Sequence, residues 1–259
     1  MNNAAPDIFS TLSPWTMVGV MGLLGSAWAL SAWQRLGVGK ELLWAAARAT
    51  IQLGVMGFLL GWLFRQHQPF LLVLFLVIMI LMAGRFNRKR GAGIPHAYWI
   101  GVISITVATV VTLAWMLMSG LVFWRGESFV PIGGMIIGNA MNAVSLALNR
   151  LRSEVGQRED MLLAMLALGA NHRQAMRSLY SSVVRSSLIP TIDSLKSVGM
   201  IHIPGITAGM ILAGMAPLTA VSMQLVVMVM LTASVTLSVS TAVLLAAPHA
   251  LVFSQRIEE

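Results

Sequence analysis

The sequence contains no cysteine, and this absence removes several kinds of chemistry together. Without a thiol the chain forms no disulfide, no thiolate metal site and no cysteine nucleophile. Charged residues are also scarce, at 10% of the chain, where a soluble domain carries about 25%. Hydrophobic residues make up 57% of the sequence. This composition argues against a water-soluble fold and favours a membrane protein.

Long apolar runs separate the few charged residues. A run of about eighteen or more apolar residues is typical of a membrane-spanning helix. We expect about seven spans, with the third short of the usual length of about 20 residues. The sequence thus predicts an all-α integral membrane protein in which 1–259 form a single transmembrane domain. The expected spans are 14–33, 41–64, 69–84, 96–118, 129–150, 192–214 and 217–247.

The positive charges alternate from one loop to the next. The heaviest loops follow the third span, with Arg85, Arg88, Lys89 and Arg90, and the fifth span, where 150–190 form the only long polar stretch. Loops rich in Lys and Arg lie on the cytoplasmic side of a membrane. We therefore expect an outer amino terminus, a cytoplasmic carboxyl terminus and a cytoplasmic 150–190, hereafter the central segment. The net charge of +8 then requires no nucleic acid.

The central segment has the signals of two short helices joined by a turn. Glu159 and Asp160 suit the first turn of a helix, where the dipole favours negative charge. Gly169 suits the left-handed position just past its end. Asn171 can cap a second helix, and Gln174 can complete a capping box. Such a cytoplasmic helix pair predicts a surface that another protein contacts.

Two spans carry polar residues along one helical face. Lipid offers no hydrogen bonds, so each of these side chains needs a partner, a cavity or the interface. In the second span, Arg48 and Gln52 share a face with Glu41, and two interpretations stay open: pairing at the interface, or a cation that faces a cavity. In the fifth span, Asn139 and Asn142 begin a stripe that predicts either helix–helix contacts or a lined pathway. The stripe continues through Ser145 and Asn149.

The sixth and seventh spans offer further polar features. Asp193 and Lys196 are spaced to pair on a helix, either as a structural ion pair or as a pair that switches during transport. Pro204-Gly205 interrupts the sixth span, which predicts a broken helix at a transport site or a re-entrant end. The Ser and Thr residues of the seventh span are expected to bond to carbonyls of their own helix. They are Thr232, Ser234, Thr236, Ser238, Ser240 and Thr241.

Several catalytic motifs are absent from the sequence. There is no Gly-x-x-x-x-Gly-Lys-Ser/Thr loop for ATP, no His-Glu-x-x-His and no Gly-x-Ser-x-Gly. The five histidines are scattered, and their spacing defines no metal site, so any metal ligands stay unknown. We therefore expect neither catalysis nor a bound cofactor in this chain.

Five motifs follow one another along the chain. They are Glu41-Leu-Leu-Trp-x-x-x-Arg48-x-x-x-Gln52-Leu, Pro131-Ile-Gly-Gly-Met-Ile-Ile-Gly138-Asn139-Ala-Met-Asn142, Leu168-Gly169-Ala170-x-x-x-Gln174-Ala175, Pro190-Thr191-x-Asp193-x-x-Lys196-x-x-Gly199 and Pro204-Gly205. This order of motifs resembles the FetB-type iron-export ABC permeases, a family that includes plant aluminium-tolerance proteins. The resemblance covers about 20–245 and departs from the family at Ile206-Thr207, Ala216 and Met223.

The resemblance implies a multi-pass permease subunit in the inner membrane of a bacterium. It implies export of iron, a related metal or a metal chelate, with ATP and Mg bound by a separate ATPase subunit and with two copies of this chain. The central segment would couple to the ATPase through Glu159, Asp160, Leu168, Gly169, Ala170 and Gln174. The pathway would include Arg48, Gln52, Asn139, Asn142, Asp193 and Lys196. Because Arg48 would oppose a bare cation, a chelate or an anion suits this pathway better.

Two other classes of function stay open at this point. A gradient-driven secondary transporter or channel would need no ATPase, and it predicts transport by the purified chain alone. A membrane scaffold would use the central segment to bind a different cytoplasmic partner, and it predicts no transport. The paired cytoplasmic helices argue against the first alternative, and the polar face of the fifth span argues against the second.

Overall fold

The chain is described by a computed structural model, which covers residues 14–66, 68–91 and 93–254. Within these ranges the ordered structure is helical, apart from one isolated bridge between Val198 and His202. The helices fall into two compact units, 1–66 and 67–259, which are described separately below. The all-α class predicted from the sequence is therefore confirmed, whereas the assignment of 1–259 to one domain stays a prediction.

The first unit is a hairpin of two apolar helices. Helix α1 spans Pro14–Trp33 and helix α2 spans Gly39–Gln66. The turn between them contains two residues with positive φ, Arg35 at 52° and Gly37 at 72°. At the start of α2 the backbone approaches α1 closely, since a Cβ added to Gly39 would lie 3.0 Å from Cδ1 of Trp28. Most side chains of both helices are exposed, as expected of helices that contact lipid or other chains.

The second unit contains seven helices around one apolar core. Helix α9 packs against α4 and α5, and α3 packs against both of them as well. Ile105, Ile136, Val144 and Val239 are fully buried at these contacts, together with small residues such as Ala140 that bring the helices close. The helices are α3 (Pro69–Arg90), α4 (Ala97–Met118), α5 (Gly126–Gln157), α6 (Glu159–Ala167), α7 (His172–Ser197), α8 (Gly205–Leu212) and α9 (Pro217–Ser254).

Within the described ranges, five helices are long and apolar enough to cross a membrane: α2, α3, α4, α5 and α9. Helix α1 contains a shorter apolar stretch, Val18–Trp33. The third span, expected to end at 84, is longer than predicted, because α3 continues through its basic end to Arg90. The expectation of a short third span was therefore wrong. The total of seven spans and the orientation of the termini stay predictions.

The sixth span, predicted at 192–214, is not one helix. Helix α7 ends at Ser197, and α8 begins only at Gly205 and runs for 8 residues. Pro204 precedes α8 with an extended backbone, as expected where Pro cannot continue a preceding helix. The prediction of a break at Pro204-Gly205 is confirmed, since 198–204 are not helical.

Five of the six α9 hydroxyl groups named above bond to their own helix as expected, and no such bond is seen for Ser240. Thr232, Thr236 and Thr241 donate to the carbonyl four residues earlier at 2.8 Å, and Ser234 and Ser238 donate to the carbonyl three residues earlier. These side chains therefore satisfy their hydrogen bonds inside an apolar helix without a partner from another element.

Candidate functional site: a coupling surface and a polar cavity

The central segment folds into the helix–turn–helix that its sequence predicts. Glu159 and Asp160 lie in the first turn of α6, and Gly169 follows the helix with a φ of 88°. The Asn171 side chain accepts a hydrogen bond from the Gln174 N–H at 2.9 Å, and Gln174 Oε1 accepts one from the Asn171 N–H at 2.9 Å. The capping box and the left-handed glycine are both confirmed.

The outer face of this segment is apolar and exposed. Leu168, at the end of α6, is 88% exposed, and Met161 and Leu163 are each about half exposed. Leu162 points the other way and is buried. Glu159 and Ala170 are partly buried, and the predicted coupling residues Asp160 and Gln174 are exposed. Exposed apolar side chains on a predicted cytoplasmic segment, hereafter the apolar tip, are typical of a surface that another protein covers.

Two polar contacts within the central segment join the end of α5 to α7 and to the start of α6. Glu154 Oε1 accepts a hydrogen bond from the Ser182 hydroxyl on α7 at 2.9 Å. Glu154 Oε2 also lies 3.0 Å from a guanidinium nitrogen of Arg158, between α5 and α6. The sequence analysis did not identify this cluster, because nothing in the local pattern relates Glu154 to Ser182. It fixes the direction in which α7 leaves the turn.

A cavity of about 320 Å³ lies between α5, α7, α9 and the connection that follows α7. Polar and apolar side chains both line it, and its size is within the range of small-molecule sites, about 300–1,000 Å³. The wall also includes Pro190, which lies inside α7, and Pro204, which precedes α8. The polar residues at its wall include Asn139, Asn142, Ser187, Thr191, Ser194 and His202.

The connection after α7 is held in a defined shape. The Gly199 N–H donates to the His202 carbonyl at 3.1 Å, and Ser197 Oγ lies 3.3 Å from Nδ1 of His202. Farther on, the buried Thr207 hydroxyl donates to Oε1 of the buried Gln224 at 3.0 Å, which joins α8 to α9. The irregular backbone lines the cavity at His202 and Pro204, whereas the side chains of Met200 and Ile201 are more than 80% exposed.

The six predicted pathway residues occupy three different settings. Asn139 and Asn142 line the cavity, while Ser145 on the same stripe donates to Asn87 of α3 at 2.6 Å and so serves packing. Asp193 and Lys196 form an exposed ion pair, with 4.0 Å between the charged atoms, and do not line this cavity. Arg48 and Gln52 lie exposed on α2, in the other unit. A transport role for all six stays a prediction.

The cavity contains residues that the sequence analysis did not single out. Ser187, Thr191 and Ser194 recur at intervals of four and three on α7, the spacing of one helical face, and this stripe was the available signal. In the part of the chain that the structure describes, no three His, Asp or Glu residues lie close enough together to hold a metal ion.

Comparison with known proteins gives one consistent family. The chain is 36% identical to the UPF0014 membrane protein STAR2 of Oryza sativa over 221 residues, which are 85% of this chain and 78% of that protein. It is 36% identical to the probable iron export permease protein FetB of Escherichia coli over 205 residues, 79% of each chain. It is 31% identical to the protein ALUMINUM SENSITIVE 3 of Arabidopsis thaliana over 251 residues, 93% of this chain and 92% of that one.

No solved structure matches the chain. The family model that does match, described as an uncharacterised protein family, covers residues 14–251 and therefore both of the units above. The expected resemblance to FetB-type permeases is confirmed by these relatives, and the apolar helices agree with a multi-pass membrane protein. The chain belongs to the UPF0014 family of membrane proteins.

Proposed function

We propose that this chain is the permease subunit of an ABC transporter and that a separate ATPase subunit binds its central segment. The observation that carries the proposal is the exposed apolar tip at Leu168, presented on a capped helix–turn–helix. The naming of one relative as a probable iron export permease supports transport as the class of function. The ATPase would bind ATP and Mg, which fits a chain whose sequence has no ATP-binding loop.

The assembly we propose contains two copies of this chain and two ATPase subunits in a bacterial inner membrane. Closure of the ATPases on ATP would push on α6 and the start of α7. Helix α7 continues from that contact to the cavity, where Ser187 and Ser194 form part of the wall. The exported solute would be iron, a related metal or a chelate of one, by analogy with the named relative.

The test is co-purification of the tagged chain in mild detergent. Wild-type protein should retain a stoichiometric ATP-binding subunit, and Leu168→Glu should lose it, because a charge would be buried at the apolar contact. Ser178→Glu is the matched control, since Ser178 is exposed on α7 and lies outside the tip. Both variants should keep the wild-type thermal unfolding temperature.

Three outcomes distinguish the classes of function. An ATPase that is retained by the control and lost with Leu168→Glu supports the proposal. If both variants retain the ATPase, its contact lies on a part of the chain other than the apolar tip. If no ATPase accompanies the wild-type chain and a gradient alone drives transport by the purified protein, a secondary transporter replaces the ABC permease.

A further inference from the structure

One buried polar group at the cavity wall has no hydrogen-bond partner among the described residues. Ser187 is 2% exposed, and its Oγ forms no hydrogen bond with any described residue, although the residue lines the cavity. A buried hydroxyl without a partner is destabilising, and such groups are rare in native proteins. The neighbouring Ser186 shows the ordinary alternative, since its hydroxyl donates to the Val183 carbonyl at 3.2 Å.

Other polar groups at the cavity wall also have hydrogen-bond donors or acceptors that no described residue uses. Asn139 donates through Nδ2 to the Met135 carbonyl at 2.9 Å, which leaves its Oδ1 free to accept. The Asn142 amide has no hydrogen-bond partner among the described residues and carries both donors and an acceptor. Thr232, by contrast, donates to its own helix and offers only its lone pairs. The wall therefore presents several donors and acceptors to whatever occupies the cavity.

The charge of the wall limits what can occupy it. Among the described residues that line the cavity there is no carboxylate, ammonium or guanidinium group, and His202 is the only imidazole. An ion held at the buried part of this wall, beside Ser187, would find no opposite charge to compensate for its lost hydration, although Asn142 and His202 are exposed. Iron and similar metals favour sites with several imidazole or carboxylate ligands, which this wall lacks. A bare metal cation and a highly charged anion are both disfavoured.

We infer that the cavity binds a compact, oxygen-rich organic solute whose net charge is close to zero. Its hydroxyl or carboxyl oxygens would bond to Ser187 and Asn142, and its carbon skeleton would contact the apolar part of the wall. Two solutes share this chemistry: an uncharged polyol, and a metal ion neutralised by a hydroxycarboxylate. The inference rests on the proposed function in that it treats the bound solute as the transported one.

The first experiment measures binding to the purified chain in lipid nanodiscs by calorimetry, without any ATPase. The probes are sorbitol, a 1:1 ferric–citrate complex, citrate alone and ferrous chloride. We expect sorbitol or ferric citrate to bind, and Ser187→Ala and Asn142→Ala each to weaken that binding roughly three- to tenfold, the effect of one lost hydrogen bond. The matched controls are Ser186→Ala, next to Ser187 in sequence, and Asn149→Ala, about two turns along α5 from Asn142; neither residue lines the cavity.

A second measurement separates binding from structure. Ser187→Ala removes a buried hydroxyl that has no partner, so the ligand-free variant should unfold at a temperature higher by roughly 2–4 °C. A purely structural Ser187 would lower the unfolding temperature when replaced. Weaker binding together with higher stability is therefore the expected signature of a hydroxyl that is reserved for a ligand.

The outcomes are distinct from those of the proposed function. Binding of sorbitol would identify an uncharged polyol as the solute. Binding of ferric citrate, without binding of sorbitol or of free citrate, would identify a metal chelate. The inference would be overturned if ferrous chloride bound more tightly than sorbitol and ferric citrate. It would also be overturned if Ser187→Ala and Asn142→Ala left the binding unchanged. In both cases a co-purified ATPase would still support the permease assignment. Failure of all four probes would also overturn the inference. Binding as expected in a chain that recruits no ATPase would overturn only the ABC mechanism.

Discussion

The Ser145 hydroxyl on α5 donates a hydrogen bond of 2.6 Å to Oδ1 of Asn87 on α3, across 58 residues of sequence. Asn87 is fully buried, and its Nδ2 has no partner among the described residues. The amide therefore depends on Ser145 for the one hydrogen bond that the structure gives its side chain. This contact joins two helices at a point where the surroundings are apolar.

Ser145→Ala should destabilise the second unit, because the Asn87 oxygen would lose its donor inside the helix bundle. We expect the free energy of unfolding to fall by about 1–2 kcal/mol. This value lies between the average contribution of a hydrogen bond between membrane helices and the cost of leaving a buried acceptor without a donor. Thermal unfolding in detergent measures the change. Ser222→Ala is the control, since the exposed Ser222 donates to the Leu218 carbonyl of its own helix. Equal losses in both variants would contradict the prediction.

Gly101→Ala should also be destabilising, because α4 approaches Asn87 at this residue. A Cβ added to Gly101 would lie 2.8 Å from Asn87 Nδ2 and 2.9 Å from Asn87 Cβ. The buried Asn87 has no space to move away, so overpacking should cost about 1–3 kcal/mol. Gly138→Ala on α5 is the control, since an added Cβ there meets no atom within 4 Å. A Gly101→Ala protein as stable as wild type would show that the helices can separate freely.

The features that were predictable from the sequence are those that short stretches determine. The Asn171–Gln174 capping box, the left-handed Gly169 and the Asp193–Lys196 pair each involve residues within a few positions of each other. Their geometry follows from helix periodicity and from the conformational preferences of single residues. The α9 hydroxyl groups that bond to their own helix are also local features, because each donates to a backbone carbonyl three or four residues earlier.

The features that were missed depend on packing between distant segments. The Asn87–Ser145 and Glu154–Ser182 contacts join residues 58 and 28 positions apart, and no local pattern relates them. The short third span was mispredicted because hydropathy falls at Arg85, whereas Arg and Lys are good helix formers and α3 continues to Arg90. Likewise, Asn139 and Ser187 share a cavity only because α5 and α7 happen to face each other there.

Asn171→Ala should loosen the first turn of α7. The side chain supplies the acceptor for the Gln174 N–H, and losing an N-cap of this kind costs about 1 kcal/mol, a factor of about five in local opening. Hydrogen exchange at the Gln174 amide measures this opening. Asn171→Ser keeps an acceptor at the same position and should exchange at nearly the wild-type rate. Equal acceleration in both variants would mean that the cap is not what holds the turn.

Gly169→Ala should strain the turn between α6 and α7. The φ of 88° is a conformation that residues with a side chain adopt only at a cost, about 1–2 kcal/mol. We expect faster hydrogen exchange across the turn and weaker retention of the proposed ATPase. Gly156→Ala in α5 is the control, because Gly156 has no positive φ and an added Cβ there meets nothing. That control should be neutral or slightly stabilising.

Helix α7 connects the turn at Asn171 to the cavity wall at Ser187 without an intervening loop. At about 1.5 Å per residue, this stretch of helix is about 24 Å long. In the transporter that we propose, a displacement at its capped end would tilt the helix at the cavity. Pro190 lies about one turn beyond Ser187, and its missing N–H weakens the helix there, so we expect α7 to bend beside the cavity rather than beside the ATPase. A small displacement at the ATPase contact would then change the shape of the cavity.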